Sequence, residues 1–169
     1  MIARAFETRL RAALARREPL IRSTDTTAWR ALDGAGDGLP GVYVDRLGPA
    51  AILSIYDDAH LGHDAVTGAA RTTLALLGDL LDVRAVYVKP FARDRSRLGG
   101  DLPDESRQAT PRAGAPQPEA LVVEEHGVRF EVRPYDGLST GLFLEHREHR
   151  RALAAWRPAR VLNLFAYTC

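Results

Sequence analysis

The sequence predicts a small α+β unit followed by the opening of an open α/β sheet, and three observations carry that expectation. Apolar residues recur at helical spacing over 2–17 and 64–81, and they cluster or alternate as strands do over 42–46, 50–56, 84–89 and 121–132. From residue 42 to residue 89 the order is strand, strand, helix, strand. Finally, a charged segment over 145–155 feeds an apolar run over 161–168 that ends in small polar residues, the pattern of a first strand in an open α/β sheet. Such sheets bind their ligands beyond the carboxyl ends of the strands.

Each element has its own justification. Ile2, Phe6, Leu10 and Leu14 fall at steps of four and arginines occupy much of the remaining face, so 2–17 is an amphipathic helix ended by Pro19. Its basic face is expected to be solvated, with contact to RNA phosphates as the alternative. Residues 33–41 form a loop of small and acidic residues. Gly34, Gly36 and Gly38 invite comparison with a phosphate-cradling loop, yet strands rather than a helix follow them, so these glycines are expected to serve conformation. Two strands turn at Gly48-Pro49. A second amphipathic helix places Val66, Ala70, Leu74, Leu77 and Leu81 on one face, and a strand follows it.

Between residues 93 and 118 the composition shifts to Arg, Asp, Gly, Pro, Ser and Gln, too polar to repay its ordering entropy, and a flexible loop is expected. Arg93, Arg95, Arg97, Arg107 and Arg112 could steer an anionic partner, but Asp94, Asp101, Asp104 and Glu105 dilute that field, and a plain linker is the equal alternative. A hairpin around His126-Gly127 restores order, and Thr140 is placed to cap the helix over 145–155.

Composition narrows the function classes. The chain has 169 residues, 46% hydrophobic and 27% charged, ordinary values for a soluble globular protein. A net charge of +1 gives no global electrostatic footprint for nucleic acid, so any such binding must rest on a local patch. Lys89 is the only lysine; a GC-rich coding bias towards arginine is the expected reason, with bidentate recognition of phosphate as the alternative. No stretch approaches a membrane span, no secretory leader is recognised, and the lone Cys169 fits a reducing compartment, so a cytoplasmic protein is expected. Glu145, His146 and His149 sit at helical spacing, and His60 and His63 repeat the three-residue step, but Arg147 and Arg150 would oppose a cation and no metal is expected.

The segments Thr140-Gly141-Leu142-Phe143-Leu144-Glu145-His146-Arg147 and Leu162-Asn163-Leu164-Phe165-Ala166-Tyr167-Thr168 carry more. Together they resemble the bacterial class I S-adenosylmethionine-dependent methyltransferases that modify 23S ribosomal RNA, of both the cytosine-C5 and the fused guanine type. Residues 37–46 also resemble the segment that opens the α+β domain preceding the catalytic domain in the cytosine-C5 branch.

That resemblance implies S-adenosyl-L-methionine as cofactor and ribosomal RNA as substrate. It places Thr140, Gly141, Phe143, Arg147, Asn163, Phe165, Tyr167 and Thr168 around the cofactor or substrate pocket, with no catalytic residue among them. It implies a division into an amphipathic helix (1–23), an α+β accessory unit on the substrate side (24–92), a flexible loop (93–118), and the hairpin, helix and first strand of a Rossmann-like methyltransferase domain (119–169). Cys169 stands where the family usually has glycine. In the cytosine-C5 branch a thiolate attacks C6 and a base later removes the C5 proton; those groups lie downstream of the segments matched here, so the chain is expected to be an N-terminal fragment, inactive alone. The rival expectation is a non-catalytic RNA- or protein-binding module. Homo-oligomerisation is left open.

Overall fold

In the computed structural model, residues 2–92, 104–162 and 164 are described. Helix α1 (Ile2–Arg16) and the short α2 (Glu18–Ile21) precede a five-stranded mixed sheet of β1 (Ala28–Asp33), β2 (Val42–Leu47), β3 (Ala50–Tyr56), β4 (Ala85–Phe91) and β5 (Ala113–Gly114), arranged in that order. Neighbouring strands are antiparallel except β3 and β4, which run parallel because α3 (His63–Leu81) carries the chain across. Beyond the sheet, β6 (Leu121–Glu125) and β7 (Val128–Val132) form a hairpin, and α4 (Arg147–Trp156) follows a single 3-10 turn at Leu144–His146.

The alternation within the strands decides what each face of the sheet meets. One face sends Trp29, Val42, Val44, Leu53, Ile55, Val86 and Val88 into a core closed by Phe6, Leu10, Ala13 and Leu14 of α1 and Val66, Ala70 and Leu77 of α3. The steps of four from Phe6 to Leu14 are thus part of the buried stripe of a core helix. On the opposite face, Ala28, Leu47, Ala50, Ile52, Ala85 and Tyr87 pack against Leu121, Val123 and Val132 of the hairpin and against Leu142 and Leu144. This second core covers only part of that face.

The hairpin turns on His126 and Gly127, both in the left-handed region (φ 51° and 77°), as a two-residue turn of the tightest kind requires. It is tied to the sheet's leading edge by backbone bonds: the Thr27 N–H donates to the Glu124 carbonyl (2.8 Å) and the Gly127 N–H to that of Asp25 (2.9 Å). The Thr26 and Thr27 hydroxyls accept from the His126 and Glu124 N–H groups.

Two local expectations change. The polar run over 93–118 is not loop throughout: residues 93–103 lie outside the described residues, but Asp104–Arg107 forms a 3-10 turn and Ala113–Gly114 pairs with Val86 and Ala85 as the sheet's last strand. Arg112 fixes this return, its backbone N–H donating to the Val86 carbonyl (2.9 Å) and its guanidinium pairing with Glu105 and the Thr67 hydroxyl. Thr140, expected to cap the last helix, caps nothing; the intervening 3-10 turn moves the helix start to Arg147, and neither element has a side-chain cap. The strand expected from residue 160 falls mostly outside the described residues, and 160–162 carry no assigned element.

Gly34, Gly36 and Gly38 meet no α-helix N-terminus, and Gly34 and Gly38 take left-handed backbone (φ 46° and 78°). They lie in and just after the 3-10 turn Gly34–Asp37, whose buried Asp37 carboxylate accepts from the Asp33 N–H and pairs with Arg16 and Arg17. Gly34 has φ +46°, and a Cβ there would stand 2.7 Å from the Tyr43 ring. Its missing side chain lets that ring lie down over the sheet.

Candidate functional site

Where the hairpin stops covering the second sheet face, a cleft of about 720 Å³ opens. Its floor is the continuation of the same strand positions that are apolar under the hairpin: Tyr43 and Asp45 on β2, Ser54 and Tyr56 on β3, Lys89 and Phe91 on β4, with Arg30 of β1. Its wall is the segment 138–145. A volume of this size lies within the range of small-molecule pockets.

Arg30 and Asp45 form a bidentate pair across β1 and β2, Nε to Oδ1 at 2.8 Å and Nη2 to Oδ2 at 3.2 Å, and the guanidinium lies 5.1 Å from the Tyr43 ring centroid. Burial outweighs this partner and raises the Asp45 carboxyl above the usual aspartate range, while Asp45 raises the Arg30 guanidinium against the cost of its own burial. Lys89 is 1% exposed. Its Nζ donates to the Ser139 carbonyl (3.3 Å) and the Leu138 carbonyl (3.4 Å), and burial pushes its ammonium down to about 8 despite the pull of Asp136 and Asp45. A lysine poised this close to neutrality on the floor of a cleft is a functional candidate.

Three rings complete the floor. Tyr56 stacks on Phe91 at 5.1 Å between centroids and 17° between planes, and Tyr43 meets Tyr56 edge to face at 5.6 Å. Register explains the arrangement, because Tyr56 and Phe91 are direct partners across β3 and β4.

The wall segment is held by α4. Arg150 donates to both carboxylate oxygens of Glu125 at 2.7 Å each and to the Phe143 carbonyl at 2.8 Å. Glu125 is 3% exposed on β6, so one guanidinium ties helix, hairpin and wall together. The Arg133 N–H donates to the Thr140 carbonyl, closing the loop from the other side.

Of the residues implicated by motif, Thr140 and Phe143 line the cleft, Phe143 being 45% exposed. Gly141 lies between them and packs against the β7 backbone at Glu131. Arg147 lines a neighbouring cleft of about 340 Å³ that shares Arg30, Leu144 and Glu145 with the first. Asn163, Phe165, Tyr167, Thr168 and Cys169 lie outside the described residues. His146 and His149 approach to 3.4 Å between Nδ1 atoms, and no three metal-ligating side chains converge among the described residues. No described helix is long and apolar enough to cross a membrane. The Arg30–Asp45 pair and the aromatic floor were missed by sequence reasoning; the one available signal was a single lysine in an arginine-rich chain.

No protein-family model matches the sequence. Among curated proteins, the chain is 33% identical over 165 residues to a ribosomal RNA large subunit methyltransferase of Deinococcus radiodurans, a match covering 95% of this chain and 38% of that protein. It is 32% identical over 165 residues to ribosomal RNA large subunit methyltransferase I of Cronobacter sakazakii, covering 96% of this chain and 39% of the relative. The Aeromonas salmonicida protein of the same name is 31% identical over 168 residues, with the same coverage. The chain is a homologue of these methyltransferases. It spans less than two fifths of their length.

Solved structures agree at the level of fold. A candidate SAM-dependent methyltransferase from Streptococcus mutans superposes with a TM-score of 0.68 at 23% identity, covering 89% of this chain and 35% of the other. A candidate methyltransferase solved in complex with SAH gives a TM-score of 0.65 at 23% identity and the same coverage. The mixed sheet with its flanking helices is therefore an arrangement found within methyltransferase chains.

Proposed function

We propose that this chain is part of an S-adenosylmethionine-dependent methyltransferase that modifies a base in 23S ribosomal RNA. The observation that carries the reading is the match to large-subunit rRNA methyltransferases across 95% of the chain, which includes the 140–147 segment walling the cleft. The described wall suits part of a cofactor site: the Thr140 hydroxyl is available for a polar contact and the half-exposed Phe143 ring offers an apolar face. Arg147, Gly141 and, from the motif alone, Asn163, Phe165, Tyr167 and Thr168 complete the set assigned to it. S-adenosylmethionine supplies an electrophilic methyl group on sulfonium sulfur.

In this reading the chain's own residues bind and orient. Glu125 and Arg150 hold the wall at a fixed distance from the sheet, and the leucines beneath it exclude water from one side. Lys89, near its titration point, can donate from the floor at neutral pH. Residues 24–92 serve as the substrate-side unit and 119–169 as the opening of the methyltransferase domain, after the 1–23 helix and the 93–118 connection. Residues 1–169 alone are expected not to turn over.

A chimera tests the reading. Residues 1–169 replace the aligned segment of the Deinococcus radiodurans relative, and incorporation of labelled methyl into large-subunit rRNA is measured. Incorporation is expected, with Phe143→Ala lowering it at least about tenfold, the scale of one lost apolar contact. A folded chimera that binds S-adenosylhomocysteine yet leaves the rRNA unlabelled would refute the proposal.

A further inference from the structure

Lys89 stands at the point on β4 where the covered part of the second face gives way to the cleft. Its neighbours on the same face of the strand are Tyr87, which packs on Tyr135 at 5.3 Å between ring centroids, and Phe91 at the open end. The chain crosses above it between two apolar anchors, Tyr135 and Leu142, both packed into the second core. Residues 136–141 between those anchors belong to no helix or strand, and two of them, Gly137 and Gly141, take left-handed backbone (φ 73° and 92°). The span is therefore a strap with a bend near each end.

We propose that Lys89 is the positioning residue of this strap: its amine fixes the height of 138–140 above the sheet and so sets where Thr140 presents its hydroxyl to the cleft. The proposal rests on the methyltransferase reading for what the wall receives, not for the brace itself. An irregular segment lying over a sheet face has carbonyls that no ladder satisfies, and a buried acceptor without a donor is costly. The Lys89 Nζ donates to two of them in succession, Leu138 at 3.4 Å and Ser139 at 3.3 Å. The next, Thr140, accepts from the Arg133 N–H of the opposite side at 3.0 Å. Three consecutive carbonyls are thus held from two directions, which opposes any turning of the strap about its bends.

A sheet residue that reaches these carbonyls needs several donors at the end of a long stem, and the stem must be apolar to lie on the floor beside Tyr87. Lysine meets both conditions. Among the described residues its 1%-exposed ammonium has no ion-pair partner; Asp136 and Asp45 draw on it only at a distance. The bonds that offset the burial of this charge are therefore bonds to the strap, and the residue acts on the wall rather than on the stability of the sheet.

The test uses the full chain, residues 1–169, and amide hydrogen exchange resolved by NMR. The Arg133 amide reports the strap, because the Thr140 carbonyl is what it donates to. In Lys89→Met that amide is expected to exchange at least about tenfold faster, with the amides of β3 and β4 unchanged and the melting temperature no lower than the parent's. Lys89→Arg, which keeps donors on a long stem, is expected to restore most of the protection. In the methylating chimera, Lys89→Met is expected to raise KM for S-adenosylmethionine about tenfold to a hundredfold with kcat within about threefold of the parent's, the signature of a misplaced binding contact.

An Arg133 amide within about threefold of the parent in Lys89→Met would overturn the proposal, as would equal acceleration of that amide and those of β3 and β4, which would make the lysine a general structural residue. A fall in kcat at unchanged KM would place Lys89 in the chemistry and overturn the positioning role. The exchange experiment needs neither donor nor rRNA. An inactive chimera beside a loosened Arg133 amide therefore counts against the methyltransferase reading alone, and an active chimera beside an unmoved amide counts against the brace alone.

Discussion

Replacing Arg150 with alanine is expected to release α4 and the cleft wall without unfolding the sheet. Helix α4 has ten residues and none of them is buried, too short and too exposed to persist on its own propensity. Its attachment is the Arg150 guanidinium, which makes two bonds to the buried Glu125 carboxylate and one to the Phe143 carbonyl. Hydrogen bonds to charged groups are worth roughly 1.5–3 kcal/mol each at best. The Arg150 side chain is 31% exposed, so solvent screening reduces the whole tether to about 2 kcal/mol, or about thirtyfold in the opening equilibrium. Amide hydrogen exchange followed by mass spectrometry should therefore show exchange over 147–156 accelerating about thirtyfold, with β2, β3 and β4 unchanged. Glu125→Gln in the same background should add little, because the two side chains form one unit. If 147–156 exchanges within about threefold of the parent, the tether is elsewhere and the role given to Arg150 is wrong.

Three further outcomes follow from the cleft. Lys89 has its proton affinity lowered from 10.5 to about 8, so below pH 8 its burial costs stability, and the cost is relieved as pH rises from 8 towards 10.5, where the unfolded chain still holds the proton. Lys89→Met should accordingly be more stable at pH 7, by about 3 kcal/mol at most, with the advantage shrinking towards pH 10; an advantage that grows with pH in thermal melts would contradict this. Arg30→Met leaves the largely buried Asp45 carboxylate uncompensated and should destabilise by about 3 kcal/mol in urea titrations, with most of the loss recovered in the Arg30→Met, Asp45→Asn double variant. Gly34→Ala combines a positive φ with a Cβ 2.7 Å from the Tyr43 ring, and a loss of about 1–3 kcal/mol with altered tyrosine near-ultraviolet dichroism is expected; an unchanged spectrum would show that the ring is held by other contacts.

The elements that bury one face were readable in the sequence because burial leaves a period. Phe6, Leu10 and Leu14 of α1, Val66, Ala70 and Leu77 of α3, and Leu121, Val123 and Val132 of the hairpin each appear as buried positions in one of the two cores. What stayed illegible has no period. Strand β5 is two residues long, below the length at which alternation exists, and its place beside β4 is decided by the Arg112 backbone and side chain. The start of α4 moved because a 3-10 turn occupies the three residues before it, and nothing in the composition of 140–146 distinguishes that turn from the first turn of an α-helix. Lys89 read as a stray lysine ending a strand; its burial is made by carbonyls 49 and 50 residues further on. Long-range closure of this kind cannot be read from local pattern.

The second sheet face also explains why Thr140 and Phe143 meet the floor residues in one cleft although they are far apart in the chain. Along β2, β3 and β4 the inward positions change from Leu47, Ala50 and Ala85 to Tyr43, Tyr56 and Phe91 over a single strand length. The apolar end recruits the hairpin and the leucines of 142 and 144, and that docking, together with the Arg150 and Arg133 bonds to the wall, places Thr140 and Phe143 over the polar end. The wall is thus positioned in part by hydrophobic burial at one end of the strands, while its chemistry faces the other. A substitution such as Val123→Ala, which removes two methyl groups from the fully buried hairpin core, should then loosen the wall as well as the hairpin. Its cost of about 1–3 kcal/mol should be accompanied by weaker S-adenosylhomocysteine binding, although Val123 lines neither cleft. Unchanged ligand affinity at reduced stability would show that the two ends of the face act independently.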